Sequence, residues 1–483
     1  MQETPKNKKI KTKIIATLGP ASSDYNTIKK LAEAGVCVFR INTSHGEKKE
    51  HAEKIKIIRN IEEELNINIP VIIDLQGPKI RVGQIQNPVE ITKGQEIILE
   101  NTDVIKQGII PVDYEGIAND VSEGEYILLD DGHVKLKVTK IVGSKVYTVV
   151  ESGNIIKPRK GINLPGIQAS LEAVTQRDKE YIKFAIEQNA DYLALSFVRK
   201  AEDIKCAKYY TKAFGGKEIP VIAKIEKPQA VENLEEIVIE ADALMAARGD
   251  LGIEMSPQDV PIAQKRIIQL ANEYKKPCIV ATQMLESMIE ESMPTRAEAG
   301  DVANAIFDGA DAIMLSGESA VGKYPVEAVK MMAAISKTVE TSSFLKTDFE
   351  LELISEFDPV AQAIANSAVS LSKKLKAEAI LIFSEYGYTP PIISKLKPTV
   401  PVIVITKSRS IARRLSLFWD IFAYVEEECN IILDETAFKK IDNILIKKTI
   451  LEKGDNIIIV NSAPELMNGK INTIRIHTIG SER

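Results

Sequence analysis

Short apolar runs alternate with amphipathic stretches along most of this chain, and this alternation limits the possible fold more than any other feature. Such runs are strand candidates, whereas apolar residues at helical spacing between them indicate helices. The runs lie at 13–18, 36–41, 71–74, 191–195, 220–224, 242–246, 277–281 and 311–315. The clearest helical patterns lie at 24–34, 47–64, 177–188 and 325–340. Alternation of this kind predicts parallel strands covered by helices.

Eight strand–helix units predict an α/β fold of the closed (β/α)8 TIM barrel type. A doubly wound open sheet is the alternative that shares the same alternation. The pattern stops after the third run, because residues 80–160 carry β-branched residues at short spacing with glycine and aspartate at the turns. Within this segment Asp131-Gly132 indicates a hairpin. We therefore expect an all-β insertion in the barrel.

A second α/β pattern begins near residue 357. Asp358 and Pro359 are typical of a helix start, an N-cap side chain followed by proline at the first helical position. Ile364, Ala368 and Leu375 are expected along one face of this helix. Further strand candidates lie at 379–383, 400–405, 421–425 and 456–460. We expect a separate, smaller α/β domain here.

Charge and cysteine usage exclude several classes of function. Acidic and basic residues nearly balance, with a formal net charge of −6, which gives no reason to expect nucleic acid or a membrane surface as partner. No apolar run approaches the ~20 residues of a membrane helix. The cysteines are scattered without a CxxC pair and the histidines do not cluster, so we expect no disulfide framework or zinc site. We expect a cytoplasmic protein, with a solvated basic start at Lys6, Lys8, Lys9, Lys11 and Lys13.

Polar residues recur where the predicted strands end, and in a TIM barrel these ends converge on the catalytic face. Any one of them could be an ordinary capping or turn residue, but the set as a whole makes chemical sense. Glu226 and Asp250 offer the hard oxygen ligands that Mg²⁺ takes together with substrate oxygens. Arg40 and Lys224 can neutralise a phosphoryl group. The set comprises Arg40, Asn42, Ser44, Asp74, Lys79, Lys224, Glu226, Asp250, Thr282 and Ser316.

The turn after the sixth predicted strand is suited to bind a carboxylate through its backbone. Gly249 lets the backbone approach a ligand closely, and a helix starting after it would offer free N–H groups to a carboxylate. Sites for a carboxylate, a metal ion and a phosphoryl group on one face predict a phosphorylated small acid as substrate.

Several segments, in the same order, resemble the pyruvate kinase family over nearly the whole chain. They are TKIIATLGPAS (12–22), FRINTSHG (39–46), KGINLPG (160–166), AKIEKPQAVENLEEI (223–237), AARGDLGIE (246–254), ATQMLESM (281–288) and the long segment 294–332. The resemblance implies transfer of a phosphoryl group from phosphoenolpyruvate to ADP, giving pyruvate and ATP in glycolysis. It also implies a cytoplasmic homotetramer.

The resemblance further implies a role for each matching site residue. Glu226 and Asp250 match ligands of Mg²⁺ (or Mn²⁺). Lys224 matches the lysine that stabilises the phosphoryl group in transit, and Arg40 matches the arginine that holds the phosphate. The other matches are Ala247, Gly249 and Asp250 for the substrate carboxylate, Thr282 for proton delivery with Ser316 nearby, and Asn42, Ser44 and Asp74 for a monovalent cation.

The implied domains are a barrel catalytic domain at 1–79 and 166–345, a β-barrel lid at 80–165 and a C-terminal α/β regulatory domain at 346–483. In the regulatory domain the effector loop is expected at 384–389. Its possible phosphate contacts are Ser384, Gly387 and Thr389, but Glu385 and Tyr386 do not suit a bisphosphate, so the effector stays open.

The segment after the third strand departs from the pattern of potassium-dependent members. Those members carry glutamate at the position of Lys79 and threonine at that of Leu75. The resemblance is therefore to a potassium-independent member, in which the Lys79 ammonium takes the place of K⁺. The alternative is that Lys79 points to solvent.

Two other functions remain alternatives at this stage. One is a Mg²⁺-dependent lyase of the pyruvate–phosphoenolpyruvate barrel group, which would need neither a long lid nor an ADP pocket. The other is a non-catalytic metabolite sensor with the same fold, although the set of catalytic residues looks complete.

Overall fold

The computed structural model describes residues 10–102, 108–167, 170–216, 218–345, 358–426, 435–447, 451–461 and 471–481. The strands are β1 (Lys13–Leu18), β2 (Val36–Asn42), β3 (Val71–Asp74), β4 (Val89–Glu90), β5 (Glu96–Glu100), β6 (Ile109–Pro111), β7 (Tyr126–Leu129), β8 (Val134–Val142), β9 (Lys145–Ser152), β10 (Ile155–Ile156), β11 (Ile162–Asn163), β12 (Tyr192–Leu195), β13 (Val221–Ile225), β14 (Ala243–Ala247), β15 (Cys278–Ala281), β16 (Ala312–Leu315), β17 (Ala379–Phe383), β18 (Val402–Thr406), β19 (Ile421–Val425), β20 (Asn456–Asn461) and β21 (Thr473–Thr478).

The helices follow the alternating pattern. They are α1 (Tyr25–Ala34), α2 (Lys48–Leu65), α3 (Ile117–Asp120), α4 (Gln176–Glu187), α5 (Ala201–Ala213), α6 (Pro228–Glu232), α7 (Leu234–Glu240), α8 (Arg248–Glu254), α9 (Val260–Glu273), α10 (Arg296–Phe307), α11 (Gly317–Ala320), α12 (Pro325–Glu340), α13 (Pro359–Lys374), α14 (Thr389–Lys395), α15 (Arg409–Leu415) and α16 (Glu435–Lys447). Short 3-10 turns lie at Pro20–Ser22 and Glu286–Ile289. No helix among the described ranges is long and apolar enough to cross a membrane.

A closed barrel of eight parallel strands confirms the predicted fold class. Around the barrel the order is β1-β16-β15-β14-β13-β12-β3-β2. Both faces of these strands are covered, as their nearly continuous apolar sequences require; all six residues of β1 are buried. One apolar layer fills the barrel interior, and a second lies between the strands and the surrounding helices. The carboxyl ends of the strands therefore stand on a rigid, packed core.

The insertion after β3 is almost entirely β structure, with the single-turn helix α3 as an addition. Its main sheet has the order β11-β7-β8-β9-β5-β6, and β4 pairs with β10. Arg81 and Val82 bridge Gly161 and Val112, so the entering chain lies between the two edges of the sheet. The hairpin predicted at Asp131-Gly132 joins the antiparallel strands β7 and β8. Positive φ angles at Asp130, Asp131 and Gly132 make this turn.

The C-terminal α/β domain has a five-stranded sheet of order β19-β18-β17-β20-β21. Asp358 caps α13 as predicted, because its carboxylate accepts a hydrogen bond from Val360 N. The expectation for Leu375 was wrong: Leu375 is the C-cap residue and 42 % exposed, since the helix ends before that turn could face the core. The antiparallel edge strand β21 was not predicted.

The C-terminal domain covers the amino-terminal end of the barrel. Leu417 is fully buried and packs with the residues that fill the barrel interior. Lys11 forms an ion pair with Asp420, at 3.1 Å, and the buried Lys13 ammonium donates to Ile421 O, at 2.9 Å. The expectation of a solvated basic start was therefore wrong for Lys11 and Lys13, because the second domain supplies their acceptors. Lys6, Lys8 and Lys9 lie outside the described residues.

Candidate active site

Four buried charged residues converge at the carboxyl end of the barrel. Arg40 on β2, Asp74 at the end of β3, Lys224 on β13 and Glu226 just after it are each between 1 and 9 % exposed. We call these four residues the strand-end cluster. They lie on three strands that are distant in sequence, and the closed barrel brings them together, as the sequence predicted they would be.

Asp74 joins the two cations of the strand-end cluster. Its Oδ2 accepts a hydrogen bond from Arg40 Nε at 2.6 Å, and its Oδ1 lies 3.3 Å from Lys224 Nζ. Burial alone would raise the pKa of Asp74, but Lys224 and Arg40 hold it below its usual value. Asp74 therefore stays ionised and fixes both cations in place.

Lys224 keeps its charge although it is buried. Its ammonium lies 2.8 Å from Glu226 Oε1 and donates to Ser196 Oγ at 2.7 Å. Burial lowers the pKa of Lys224, but Asp74 and Glu226 more than offset this, so the net shift is upward. The result is a fixed positive charge in a site of low dielectric, where it acts on a developing negative charge far more strongly than in water.

Glu226 and Asp250 are the two carboxylates that could hold a metal ion. Glu226 Oε2 accepts from Phe197 N at 2.8 Å, and Asp250 is half-buried on α8. Burial raises the pKa of Glu226, Lys224 opposes this, and the neighbouring Asp250 carboxylate raises it further. A divalent cation would relieve that repulsion. Among the described residues no three His, Cys, Asp or Glu side chains are grouped so that they could hold a metal ion.

The turn after β15 holds Thr282 in a strained conformation. Thr282 has φ of 67° and Gln283 has φ of 53°, a region that a β-branched residue adopts only when its surroundings enforce it. Arg248 provides part of that support, because its guanidinium donates to Thr282 O at 2.7 Å and pairs with Asp301. The Thr282 hydroxyl donates to Ala281 O and accepts from Gly249 N at 2.7 Å. Its position is therefore fixed by both neighbours.

Helix α8 begins earlier than expected. It starts at Arg248 with Ala247 as N-cap, not after Gly249, because β14 runs directly into the helix. The Gly249 amide is engaged by Thr282, so it is not a free anion-binding donor as the sequence had indicated. By contrast, Ser316 Oγ is buried and has no hydrogen-bond partner within the described ranges, while its backbone N donates to Glu318.

The residues predicted for a monovalent cation are only partly brought together. Asn42 Oδ1 accepts from Ser44 N at 3.0 Å, and Asp74 belongs to the strand-end cluster. Lys79 is half-buried, and no hydrogen bond or ion pair in the described part of the chain joins it to Asn42, Ser44 or Asp74. Its side chain lies against Gly161 of the β insertion: a Cβ there would come within 2.9 Å of Lys79 Cε. Lys79 also lines a cleft between the β insertion and the barrel that includes Asp250.

The candidate effector residues lie at the carboxyl edge of the C-terminal sheet, far along the chain from the strand-end cluster. Ser384 Oγ accepts from Gly387 N at 3.0 Å, so this hydroxyl stabilises its own loop. Thr389 is buried at the start of α14. Tyr386 and Tyr388 are exposed and stack on each other.

Sequence reasoning missed two hydroxyl residues of the site. Ser196 contacts Lys224 and also donates to Leu75 O at 2.8 Å. Thr17 Oγ1 accepts from Arg40 Nη1 at 2.9 Å and donates to Leu315 O. Both lie at the ends of barrel strands, β12 and β1, so the strand-end rule would have identified them had it been applied to every strand.

Comparison with known proteins gives consistent matches. The profile described as "Pyruvate kinase, barrel domain" matches residues 9–329, and "Pyruvate kinase, alpha/beta domain" matches residues 362–477. A protein named pyruvate kinase from Thermotoga maritima is 41 % identical over 89 % of this chain and 92 % of its own length. One from Geobacillus stearothermophilus is 37 % identical over 98 % of this chain and 81 % of its own. One from Thermococcus litoralis is 41 % identical over 86 % and 89 %, respectively.

Proposed function

Because the chain belongs to the pyruvate kinase family, we propose that its strand-end cluster transfers the phosphoryl group of phosphoenolpyruvate to ADP. The products are pyruvate and ATP, and the reaction belongs to glycolysis. The observation that carries the proposal is the pairing of Arg40 and Lys224 through one buried carboxylate, beside Glu226 and Asp250. Neither the lyase nor the sensor is favoured, since profiles and relatives alike are those of pyruvate kinases.

In this proposal the two cations of the strand-end cluster act on the phosphoryl group. Arg40 holds the phosphate of the substrate, and Lys224 stabilises charge that spreads over the phosphoryl oxygens during transfer. Asp74 keeps both cations oriented before substrate arrives, so the site needs little reorganisation when the reaction occurs. Ser196 fixes the direction of the Lys224 ammonium through the 2.7 Å hydrogen bond.

Glu226 and Asp250 would hold Mg²⁺ (or Mn²⁺). The ion would neutralise negative charge on the substrate oxygens and fix their orientation. The raised pKa of Glu226, to which the Asp250 carboxylate contributes, supports this role. The backbone at Ala247, Gly249 and Asp250 is the proposed seat of the substrate carboxylate, which would replace Thr282 Oγ1 as the acceptor of the Gly249 N–H.

The enolate left after transfer must gain a proton on its methylene carbon to become pyruvate. We assign delivery of that proton to Thr282, with Ser316 close to the same face. Two features support the assignment: the strained backbone of Thr282, and the buried Ser316 hydroxyl with no protein partner among the described residues.

We also propose that the enzyme does not require K⁺. Lys79 would supply the missing positive charge from a covalently attached side chain, so occupancy would not depend on salt. Its contact with Gly161 and its place in the cleft beside Asp250 support this reading over a solvent-facing lysine. Leu75 is 1 % exposed in the apolar core, which leaves no polar group at that position for an ion.

The remaining features are proposed by analogy with the family. Residues 80–165 would form a lid that closes over ADP and excludes water, between a barrel domain at 1–79 and 166–345 and a regulatory domain at 346–483. Ser384, Gly387 and Thr389 would contact a phosphorylated effector of unspecified identity. The enzyme is proposed to be a cytoplasmic homotetramer.

A coupled assay of pyruvate formation tests the proposed function. We expect pyruvate from phosphoenolpyruvate and ADP when Mg²⁺ or Mn²⁺ is present, and none above background without a divalent ion. Pyruvate formation without ADP would instead favour another reaction, and no reaction with a folded protein would favour the sensor.

A further inference from the structure

One glutamate outside the strand-end cluster joins the lid to both proposed metal-binding segments. Glu254 is the last residue of α8, the same short helix that carries Asp250. Its side chain is only 1 % exposed. A buried carboxylate is costly unless donors surround it, so its partners indicate why this position carries a charge.

Both partners of Glu254 bind the same oxygen. Oε1 accepts a hydrogen bond from Asn163 Nδ2 at 2.8 Å and forms an ion pair with Lys227 Nζ at 2.5 Å. Asn163 ends β11, the strand by which the chain leaves the lid. Lys227 directly follows Glu226, so the ion pair also connects Glu254 to the segment that carries this proposed metal ligand.

These contacts make the Glu254 carboxylate a common link between three segments of the chain. The lid contributes Asn163, the segment after β13 contributes Lys227, and α8 contributes Glu254 itself. Because α8 has only seven residues, a shift of Glu254 at its end is transmitted to Asp250 one turn earlier. A displacement of the lid at Asn163 therefore reaches both Glu226 and Asp250.

The second oxygen of Glu254 is also informative. Oε2 is buried and has no hydrogen-bond partner within the described ranges. A buried acceptor left unpaired is unfavourable, so this lid position does not satisfy Glu254 fully. Movement of the lid can bring a donor to Oε2. The lid and Glu254 would then share a hydrogen bond in a second lid position as well.

We propose that Glu254 is a positioning residue that couples the lid to the metal-binding carboxylates, through Asn163 on one side and Lys227 on the other. The inference rests on the proposed role of Glu226 and Asp250 as metal ligands. It predicts that the lid controls the affinity for the divalent ion as well as access to the site.

The test compares two alanine variants of the lid. Asn163→Ala removes the donor to Glu254, and Asn154→Ala is the matched control, since Asn154 is exposed on the lid away from this contact. Mn²⁺ affinity is measured from the electron paramagnetic resonance signal of the free ion, and lid mobility from hydrogen exchange of residues 80–165. Turnover at saturating Mg²⁺ is measured alongside.

For Asn163→Ala we expect the Kd for Mn²⁺ to rise about threefold to tenfold, because part of the free energy of one hydrogen bond to a charged group is lost. Exchange of the β11 amides should become faster, while kcat at saturating Mg²⁺ stays near the wild-type value. Asn154→Ala should match the wild type in all three measurements. An unchanged Kd, with or without a looser lid, overturns the proposal, and so does an equal rise in both variants.

Glu254→Gln keeps the inference testable if Asn163→Ala fails to fold. Glutamine preserves the size of the side chain and an acceptor for Asn163, but it loses the charge that attracts Lys227. We expect a rise in Kd with the lid exchange near wild type, and an unchanged Kd overturns the proposal. Failure of the metal assignment itself would appear separately, as unaltered Mn²⁺ binding by Glu226→Gln and Asp250→Asn.

Discussion

Two buried ionic clusters lie at opposite ends of the same barrel, and they differ in how completely the protein satisfies them. The strand-end cluster lies at the carboxyl end of the barrel, where the β insertion leaves β3. At the other end Asp311 precedes β16 and meets Lys395 and Lys397 of the C-terminal domain, and we call these three residues the base cluster. Asp311 and Lys395 are fully buried and form a close ion pair. Lys397 Nζ lies 3.8 Å from the other Asp311 oxygen.

Fixed protein groups surround the base cluster. Asp311 also accepts hydrogen bonds from Cys278 N at 2.8 Å and Trp419 N at 3.3 Å. Lys395 donates to Asn272 Oδ1 at 2.8 Å. The strand-end cluster instead adjoins the half-buried Asp250, whose carboxylate raises the pKa of Glu226. Burial of charge therefore does not by itself identify a catalytic site, because the base cluster is buried and yet compensated by fixed protein groups.

The largest expected effect is on catalysis, from Lys224→Met. The variant loses one preorganised charge acting on the transition state, which is worth roughly 3–4 kcal/mol or ~10²–10³-fold in rate. Turnover should fall by that factor with a much smaller change in the KM for phosphoenolpyruvate. Steady-state kinetics provides the measurement, and Lys395→Met is the matched control because it removes a buried lysine from the other end. Equal losses of turnover per folded molecule in both variants would remove the distinction between the clusters.

Lys395→Met should act on stability instead. Removing one partner of a buried ion pair costs about 3–5 kcal/mol, and here it leaves Asp311 with only the more distant Lys397 as counter-charge. We expect a lower urea midpoint with near-normal turnover per folded molecule below the transition. Lys374→Met, an exposed lysine of the same domain, serves as control. A normal midpoint for Lys395→Met would mean that the pair does not hold the two domains together.

The base cluster should also make the free energy of unfolding depend on pH. Burial lowers the pKa of Lys397 to about 8, although Asp311 opposes this; in the unfolded chain the pKa is about 10.4. Between these values the unfolded state binds more protons, so this lysine makes stability rise with pH. The unfolding free energy of wild type minus that of Lys397→Met should therefore increase above about pH 8, by at most ~1.4 kcal/mol per pH unit. Parallel curves for the two proteins would contradict the lowered pKa.

The smallest expected effect is that of potassium on the wild type. In buffer with only a large organic cation we expect near-full activity, and little gain from KCl at constant ionic strength. Lys79→Glu reverses a charge near the site and should lower activity about tenfold or more, with partial recovery by K⁺. Lys93→Glu on the exposed lid surface controls for net charge. Many-fold stimulation of the wild type by K⁺ would refute this role of Lys79 and leave the kinase assignment intact.

The barrel could be predicted from sequence because its strands are apolar on both faces. The predicted and observed limits of strands such as β3 and β15 agree to within a residue. The strand β21 escaped prediction because it is an edge strand with exposed residues and no continuous apolar run. Lys11 and Lys13 were misjudged for a related reason: only the tertiary fold shows that another domain covers them.

The candidate site likewise contains some residues that could be predicted from the sequence and others that could not. Charged residues at strand ends stand out in a sequence, so Arg40, Lys224 and Glu226 could be chosen in advance. Ser196 and Thr17 are small, uncharged hydroxyl residues, so only an inspection of every strand end would have selected them; their hydrogen bonds to Lys224 and Arg40 show that they belong to the site. The contact between Glu254 and Asn163 spans 91 residues, and no spacing rule connects positions so far apart.

Divalent metal binding tests the central claim, that the strand-end cluster is where the reaction occurs, most directly. Free Mn²⁺ should be titrated against wild type, Glu226→Gln, Asp250→Asn and Lys395→Met, with phosphoenolpyruvate present. We predict that Glu226→Gln and Asp250→Asn each weaken binding at least tenfold, since each loses a charged oxygen ligand, whereas Lys395→Met binds as the wild type does. Wild-type affinity in Glu226→Gln and Asp250→Asn would contradict the account, because the metal would then lie elsewhere.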